Sequence, residues 1–271
     1  MSAAAILRRG IVYVLLSAAA FLSVFPFYWM IVGATNKSAD IVTGKPTPGG
    51  NLFANIAALF ATIDVPRVFF NSTFIAVLGT ALTLAVSSLA GYGFEMFRSR
   101  VREHIFAFIL LLLSIPFSAL MVPLFVMISS AHMNNTWLAV ILPATASIFI
   151  IFYFRQATKA FPLELRDAAR VDGLKEWQIF LYIYLPVMRS TYAAATIIVF
   201  LANWNNYLWP LIVLNTPDNK TVTLVVSALT SAYTPDYGMI LFGTVLATLP
   251  TLIIFFVLQR QFVEGLTGSV K

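Results

Sequence analysis

An all-α membrane protein with six transmembrane helices is the fold class this sequence predicts. Three observations predict it. Of 271 residues, 60% are hydrophobic and only 10% charged, whereas a soluble domain carries about 25% charged residues. The apolar residues fall into long runs, several near the ~20 residues that cross a hydrocarbon core of about 30 Å. Within lipid a backbone finds no water to bond, so each run must be helical.

The runs lie at about 10–33, 69–94, 105–130, 136–154, 191–214 and 239–258, and the whole of 1–271 reads as one transmembrane domain. The first run is too long for a signal-peptide core and no small-residue cleavage site follows it, so it is expected to be retained. An even number of spans puts both termini on one side. The side holding the N-terminus carries 13 Lys/Arg and 7 Asp/Glu; the other carries Lys37, Lys45, Arg67 and Lys220 against Asp40, Asp64, Asp218 and Asp236. The net charge of +6 therefore lies on one face, which marks that face, and both termini, as cytoplasmic. The basic surplus is a topology signal and implies no nucleic acid.

The segments expected outside are short. Residues 36–66 contain the turn-rich Thr43-Gly44-Lys45-Pro46-Thr47-Pro48-Gly49-Gly50 and a weakly amphipathic piece, Leu52 to Phe60; residues 215–238 contain Thr-Pro-Asp twice. Neither is long enough to be a separate ligand-capturing domain. Pro26, Pro116, Pro123, Pro143, Pro210 and Pro250 fall inside runs, where each removes a helical hydrogen bond and favours a kink. Gly79, Ala81, Ser87, Ser88, Ala90, Gly91 and Gly93 give the second run the small residues that permit close helix contact.

The fifth run holds a polar patch, Asn203-Trp204-Asn205-Asn206-Tyr207, followed by Trp209-Pro210. Amides at membrane depth must face protein or water. Amides with aromatic rings also suit a sugar, since amides meet hydroxyls and rings meet C–H faces, so these five residues are candidate pathway residues. The alternative is an aromatic belt at the outer interface.

No catalytic or metal site is expected. The chain has no cysteine, and His104 and His132 lie at opposite ends of one run. An intramembrane enzyme would need paired groups such as Ser/His, Ser/Lys or two Asp at depth. An ion-coupled secondary carrier would need embedded acids and inverted repeats. Both remain alternatives without a supporting feature. No G-x-x-x-x-G-K-[ST] phosphate loop is present, so ATP is not expected to bind this chain in that way.

The polar loop at about 155–190 is the longest interruption on the cytoplasmic side. Within it, Pro162 suits a helix first turn and Gly173 a C-terminal cap. Leu163, Leu165, Ala168, Ala169 and Val171 alternate with Glu164, Arg166, Asp167, Arg170 and Asp172. Trp177, Phe180, Leu181 and Tyr184 then recur at helical spacing, and Pro186 restarts the chain toward the fifth span. The loop reads as a short helix along the cytoplasmic surface, set either on lipid or in a partner's groove.

The order Asp167-Ala168-Ala169, then Asp172-Gly173, Phe180 and Leu185-Pro186 resembles the EAA motif of ABC importer permeases. Asp167 stands where that motif has Glu, shortening the side chain but keeping its charge; Leu174 stands where Ala is usual. Residues 87–94, 204–211 and 259–267 are similar to MalG-type carbohydrate permeases, so the resemblance spans nearly the whole chain. It implies a type I ABC importer permease fold in a bacterial cytoplasmic (inner) membrane. It implies that 161–173 is a coupling helix docked on a separate ATPase, with Glu164, Asp167, Ala168, Ala169, Asp172, Gly173, Leu174, Phe180, Leu185 and Pro186 as coupling residues. The tail, through Gln259, Arg260 and Gly265, becomes a second ATPase contact. The implied partners are a larger MalF-like permease, two ATPase subunits that bind ATP and Mg, and an extracytoplasmic solute-binding protein. Selectivity would then lie largely outside this chain.

Overall fold

The structure, a computed structural model, describes residues 3–267, with side chains for 9–260. Regular structure among the described residues is helical throughout. The chain runs α1 (Ala3–Ala34), α2 (Ser38–Val42), α3 (Leu52–Thr62), α4 (Val65–Met96), α5 (Arg100–Leu111), α6 (Phe117–Ser130), α7 (Trp137–Thr145), α8 (Ile148–Thr158), α9 (Leu163–Val171), α10 (Glu176–Ile179), α11 (Leu185–Val187), α12 (Arg189–Trp204), α13 (Leu208–Val213), α14 (Val222–Thr230) and α15 (Tyr237–Thr267). A 3₁₀ turn, Leu112–Ser114, extends α5, and a π-helical segment, Phe180–Tyr184, joins α10 to α11.

Among the described residues, four helical stretches are long and apolar enough to cross a membrane: Arg9–Ala34, Val65–Met96, Arg189–Val213 and Tyr237–Arg260. Two bent pairs bring the total to six if each is one span. Arg100–Ser114 and Phe117–Ser130 meet at 102°, and Trp137–Thr145 and Ile148–Thr158 meet at 42°. The first bend falls at Pro116, which cannot donate to the preceding turn. In the second pair Pro143 lies inside α7 and the chain turns at Ala146 (φ −98°, ψ 61°).

The chain divides into two compact units. One comprises Met1–Val65 and Val225–Leu249. Its loop after α1 folds on buried amides: Asn55 Nδ2 donates to Ala34 O (2.8 Å) and Asn36 O (3.0 Å), and Asn36 Nδ2 donates to Val32 O (3.0 Å) and Thr47 O (2.9 Å). Gly238 is required here, because a Cβ would stand 2.5 Å from both Asn36 O and Asn55 Nδ2.

The other unit comprises Pro66–Leu224 and Pro250–Lys271. Its core packs Ile75, Ile128, Ile141, Trp209 and Val213. A second cluster, Tyr92, Met96, Phe161, Phe180, Tyr184 and Met188, lies beneath α9. Of the glycines expected to permit close helix contact, Gly91 does so: a Cβ would lie 2.7 Å from Phe154 Cβ and 2.8 Å from Arg155 N. Gly93 has open space instead.

Candidate functional site

The surface helix α9 is closed as its sequence predicts. Gly173 takes φ +83°, a left-handed conformation that L side chains disfavour. Gly173 N donates to Arg170 O (3.1 Å) and Leu174 N to Ala169 O (3.0 Å), the paired bonds of a Schellman cap. Pro162 sits one residue before the helix at the N-cap, where its missing N–H costs nothing.

The orientation of α9 was not readable from its polarity. Arg166 is 9% exposed and Ala169 3%, whereas Leu163 is 54%, Leu165 42% and Val171 89% exposed. The helix turns an arginine inward and its large aliphatic side chains outward. Arg166 Nη1 donates to Met96 O at the end of α4 (3.2 Å), its guanidinium lies 5.0 Å from the Phe97 ring centre, and its Nε is 3.7 Å from Glu176 Oε2. Arg170 Nε donates to Glu176 Oε1 (2.6 Å), so Glu176 joins both arginines of α9.

Of the expected coupling residues, Glu164, Asp167, Ala168, Asp172 and Gly173 are exposed on α9 or its cap, Leu185 and Pro186 are exposed further on, and Leu174 is half-buried. Ala169 and Phe180 face inward. The π-helical turn sets Phe180 and Tyr184 on the same inner side, with ring centres 5.3 Å apart. Tyr184 Oη is 2.6 Å from Thr158 Oγ1. Burial pushes the Tyr184 hydroxyl above the usual tyrosine range.

A buried ionic cluster adjoins this joint and was not anticipated. Arg155, in the last turn of α8, pairs with Glu95 of α4 (3.4 Å) and Glu103 of α5 (2.5 Å), and its guanidinium lies 4.0 Å from the Phe106 ring centre. Arg98 closes the group on Glu95. Charges lying just past the ends of the apolar runs were the available signal; their pairing across 60 residues was not.

A cavity of about 370 Å³ opens among α4, α6, α7, α8, α12 and α13. Of the five candidate pathway residues it takes Asn203 and Asn206. Trp204 is instead buried beside Phe200 and Phe69, Asn205 Nδ2 turns back to Leu201 O (2.9 Å), and Tyr207 lies off the lining. Sequence reasoning missed Thr83 and Ser147, which line the same space. At the other end of the chain, Gln259 Nε2 donates to Phe256 O within α15 (3.1 Å). Arg260 is the last described side chain, the side-chain surroundings of Gly265 lie outside the described residues, and so do residues 268–271.

Residues 84–267, which contain α9 and the cavity's later walls, match the family model described as "Binding-protein-dependent transport system inner membrane component". The chain belongs to this family. It is therefore a multi-pass inner-membrane permease subunit of an ABC importer, and the family is a non-catalytic component of such systems. Similar relatives are the lactose transport system permease protein LacG of Rhizobium radiobacter, 66% identical over 96% of this chain and 95% of that one, and the arabinooligosaccharides permease AraQ of Halalkalibacterium halodurans, 36% identical over 93% and 92%. The crystal structure of a bacterial ABC transporter involved in import of the acidic polysaccharide alginate superposes with TM-score 0.85, at 18% identity, over 97% of this chain and 99% of that one. The importer permease fold expected from the sequence is the fold found.

Proposed function

We propose that this permease subunit carries carbohydrate, powered by a separate ATPase that docks on α9. The observation that carries the docking is the inverted helix: it exposes Leu163, Leu165 and Val171 while Arg166 anchors it to the end of α4. An anchored helix with an apolar outer face suits a groove in a partner protein, and acidic Glu164, Asp167 and Asp172 would orient that contact. The chain is a half-pathway, completed by a second, MalF-like permease. Two ATPase subunits bind ATP and Mg, and an extracytoplasmic solute-binding protein delivers substrate. The charge distribution supports cytoplasmic termini, and the end of α15, at Gln259, Arg260 and Gly265, is a second ATPase contact. The carbohydrate reading is supported by the names of the relatives, and lactose is the first substrate to test.

Nucleotide moves such a machine only through its different affinity for two states. Closure of the ATPase pair shifts α9, and α9 shifts α4 through Arg166 and α8 through the loop. The test is purification of the subunit with its partners from native membranes, followed by reconstituted uptake of radiolabelled lactose. Co-purified ATPase and uptake dependent on both ATP and binding protein are expected. Gly173→Pro should abolish both ATPase association and uptake while membrane insertion persists. Activity as an isolated chain would overturn the reading.

A further inference from the structure

Three helix interruptions meet at one cavity. Helices α5 and α6 part at Ile115–Pro116, α7 and α8 at Ala146–Ser147, and α12 and α13 at Asn205–Tyr207. Residues beside every break line the same space: Phe117 at the first, Ser147 and Phe149 at the second, Asn203, Asn206 and Trp209 at the third. Counted at ~1.5 Å per residue from Arg100, Thr158 and Arg189, the breaks fall roughly 15–25 Å along their helices, well inside a core about 30 Å deep. Non-helical backbone at such depth is tolerated where it is buried in protein or borders a cavity, and interrupted helices are the usual mark of a transporter's binding site.

The lining has a definite chemistry. Ser147 Oγ and the Asn206 carboxamide have no hydrogen-bond partner among the described residues, and the Asn203 carboxamide makes a 3.4 Å contact with Thr80 Oγ1. Trp209 Nε1 is committed to Ala139 O (2.8 Å) and its buried ring, met edge-on by Phe117, backs the cavity, so Phe117 and Phe149 supply the open hydrocarbon walls. No Asp, Glu, Lys, Arg or His lines the space.

We propose that this cavity is a subsite for one uncharged sugar ring. Hydroxyls of the ring pair with Ser147, Asn203 and Asn206, and its C–H faces lie against Phe117 and Phe149. A uronate or phosphate entering here would lose water and meet no countercharge, so anionic saccharides are rejected. The volume is at the small end of ligand pockets, which suits one ring of a longer substrate at a time. The subunit thus contributes to selectivity, contrary to the expectation that selectivity lies largely elsewhere. This inference rests on the importer reading above.

The reconstituted complex of both permeases, ATPase and binding protein tests it with lactose as probe. In Asn206→Leu, uptake per ATP hydrolysed should fall about tenfold, as loss of a ligand hydrogen bond predicts. Unchanged uptake per ATP overturns the subsite alone. A wild-type complex that hydrolyses ATP but takes up no neutral saccharide overturns the importer reading with it. A packing defect would lower hydrolysis and uptake together, so a second measurement is independent of turnover rate. The chain has no cysteine, so Ser147→Cys is a unique thiol; lactose should slow its alkylation by N-ethylmaleimide by about fivefold or more, as expected for a site largely occupied at saturation. Alkylation unaffected by lactose overturns the proposal.

Discussion

Arg166, on a helix at the surface, donates to the main-chain oxygen of Met96 at the end of a membrane span, 3.2 Å away. One side chain therefore connects α9 to α4. A hydrogen bond from a charged donor contributes about 1.5–3 kcal/mol. Arg166→Met should loosen this connection by about that much and leave Glu176 with Arg170 and the Tyr92 hydroxyl. The expected outcome is a complex that assembles and hydrolyses ATP yet transports less per ATP, read from paired hydrolysis and uptake assays. Arg166→Lys should rescue little, because an ammonium cannot reach Met96 O and lie over Phe97 as a planar fork does.

The Arg155–Glu95 pair makes a different prediction. Both side chains are buried. Removing one partner leaves the other with only a partly exposed ion, Glu103 for Arg155 or Arg98 for Glu95, so Arg155→Met or Glu95→Leu should each destabilise by about 1–3 kcal/mol. The double variant should cost less than the sum of the two single losses, since neither buried charge then remains. Thermal unfolding of the purified subunit measures the cycle; purely additive losses would show that the pair is not coupled.

Gly91 and Gly93 lie two residues apart in α4 and should respond oppositely. Gly91→Ala places a Cβ against Phe154 and the backbone of Arg155, and should cost about 1–3 kcal/mol as an overpacked contact. Gly93→Ala meets open space and should stabilise the helix by about 0.5–1 kcal/mol. Melting temperatures of the two variants should move in opposite directions.

Tyr184 predicts a pH dependence. Burial holds its hydroxyl above the ordinary tyrosine value of about 10. Below pH 10 the folded and unfolded states are both protonated and the contribution is complete. As pH rises further, the unfolded chain ionises first, so stability falls until the folded hydroxyl also titrates. Tyr184→Phe should flatten that alkaline decline. Identical slopes in wild type and variant would contradict the burial.

What the sequence made legible was local. Pro162 and Gly173 delimit α9 because proline cannot donate and glycine alone takes a positive φ cheaply. The apolar runs were visible because lipid demands length and hydropathy. The 102° bend was not, although Pro116 marked its place; a proline sets where a helix breaks, and packing sets how far the halves turn. The polarity of α9 did not show which face turns inward, since Arg166 looks like a surface residue until Met96 O supplies a partner. The polar patch of the fifth run divides between two environments. Asn203 and Asn206 line the cavity, while Trp204 between them points into helix packing, as residues one apart on a helix must diverge.

The central claim is that the outer face of α9 meets an ATPase. Val171, at 89% exposure, is its most exposed large apolar side chain. In a cysteine-free chain Val171→Cys is a unique handle for a short thiol-reactive photo-crosslinker in native membranes. The account predicts an adduct of this subunit with an ATPase subunit, lost in the Gly173→Pro background. A transport-competent complex in which that thiol stays open to aqueous alkylation and forms no such adduct would contradict it.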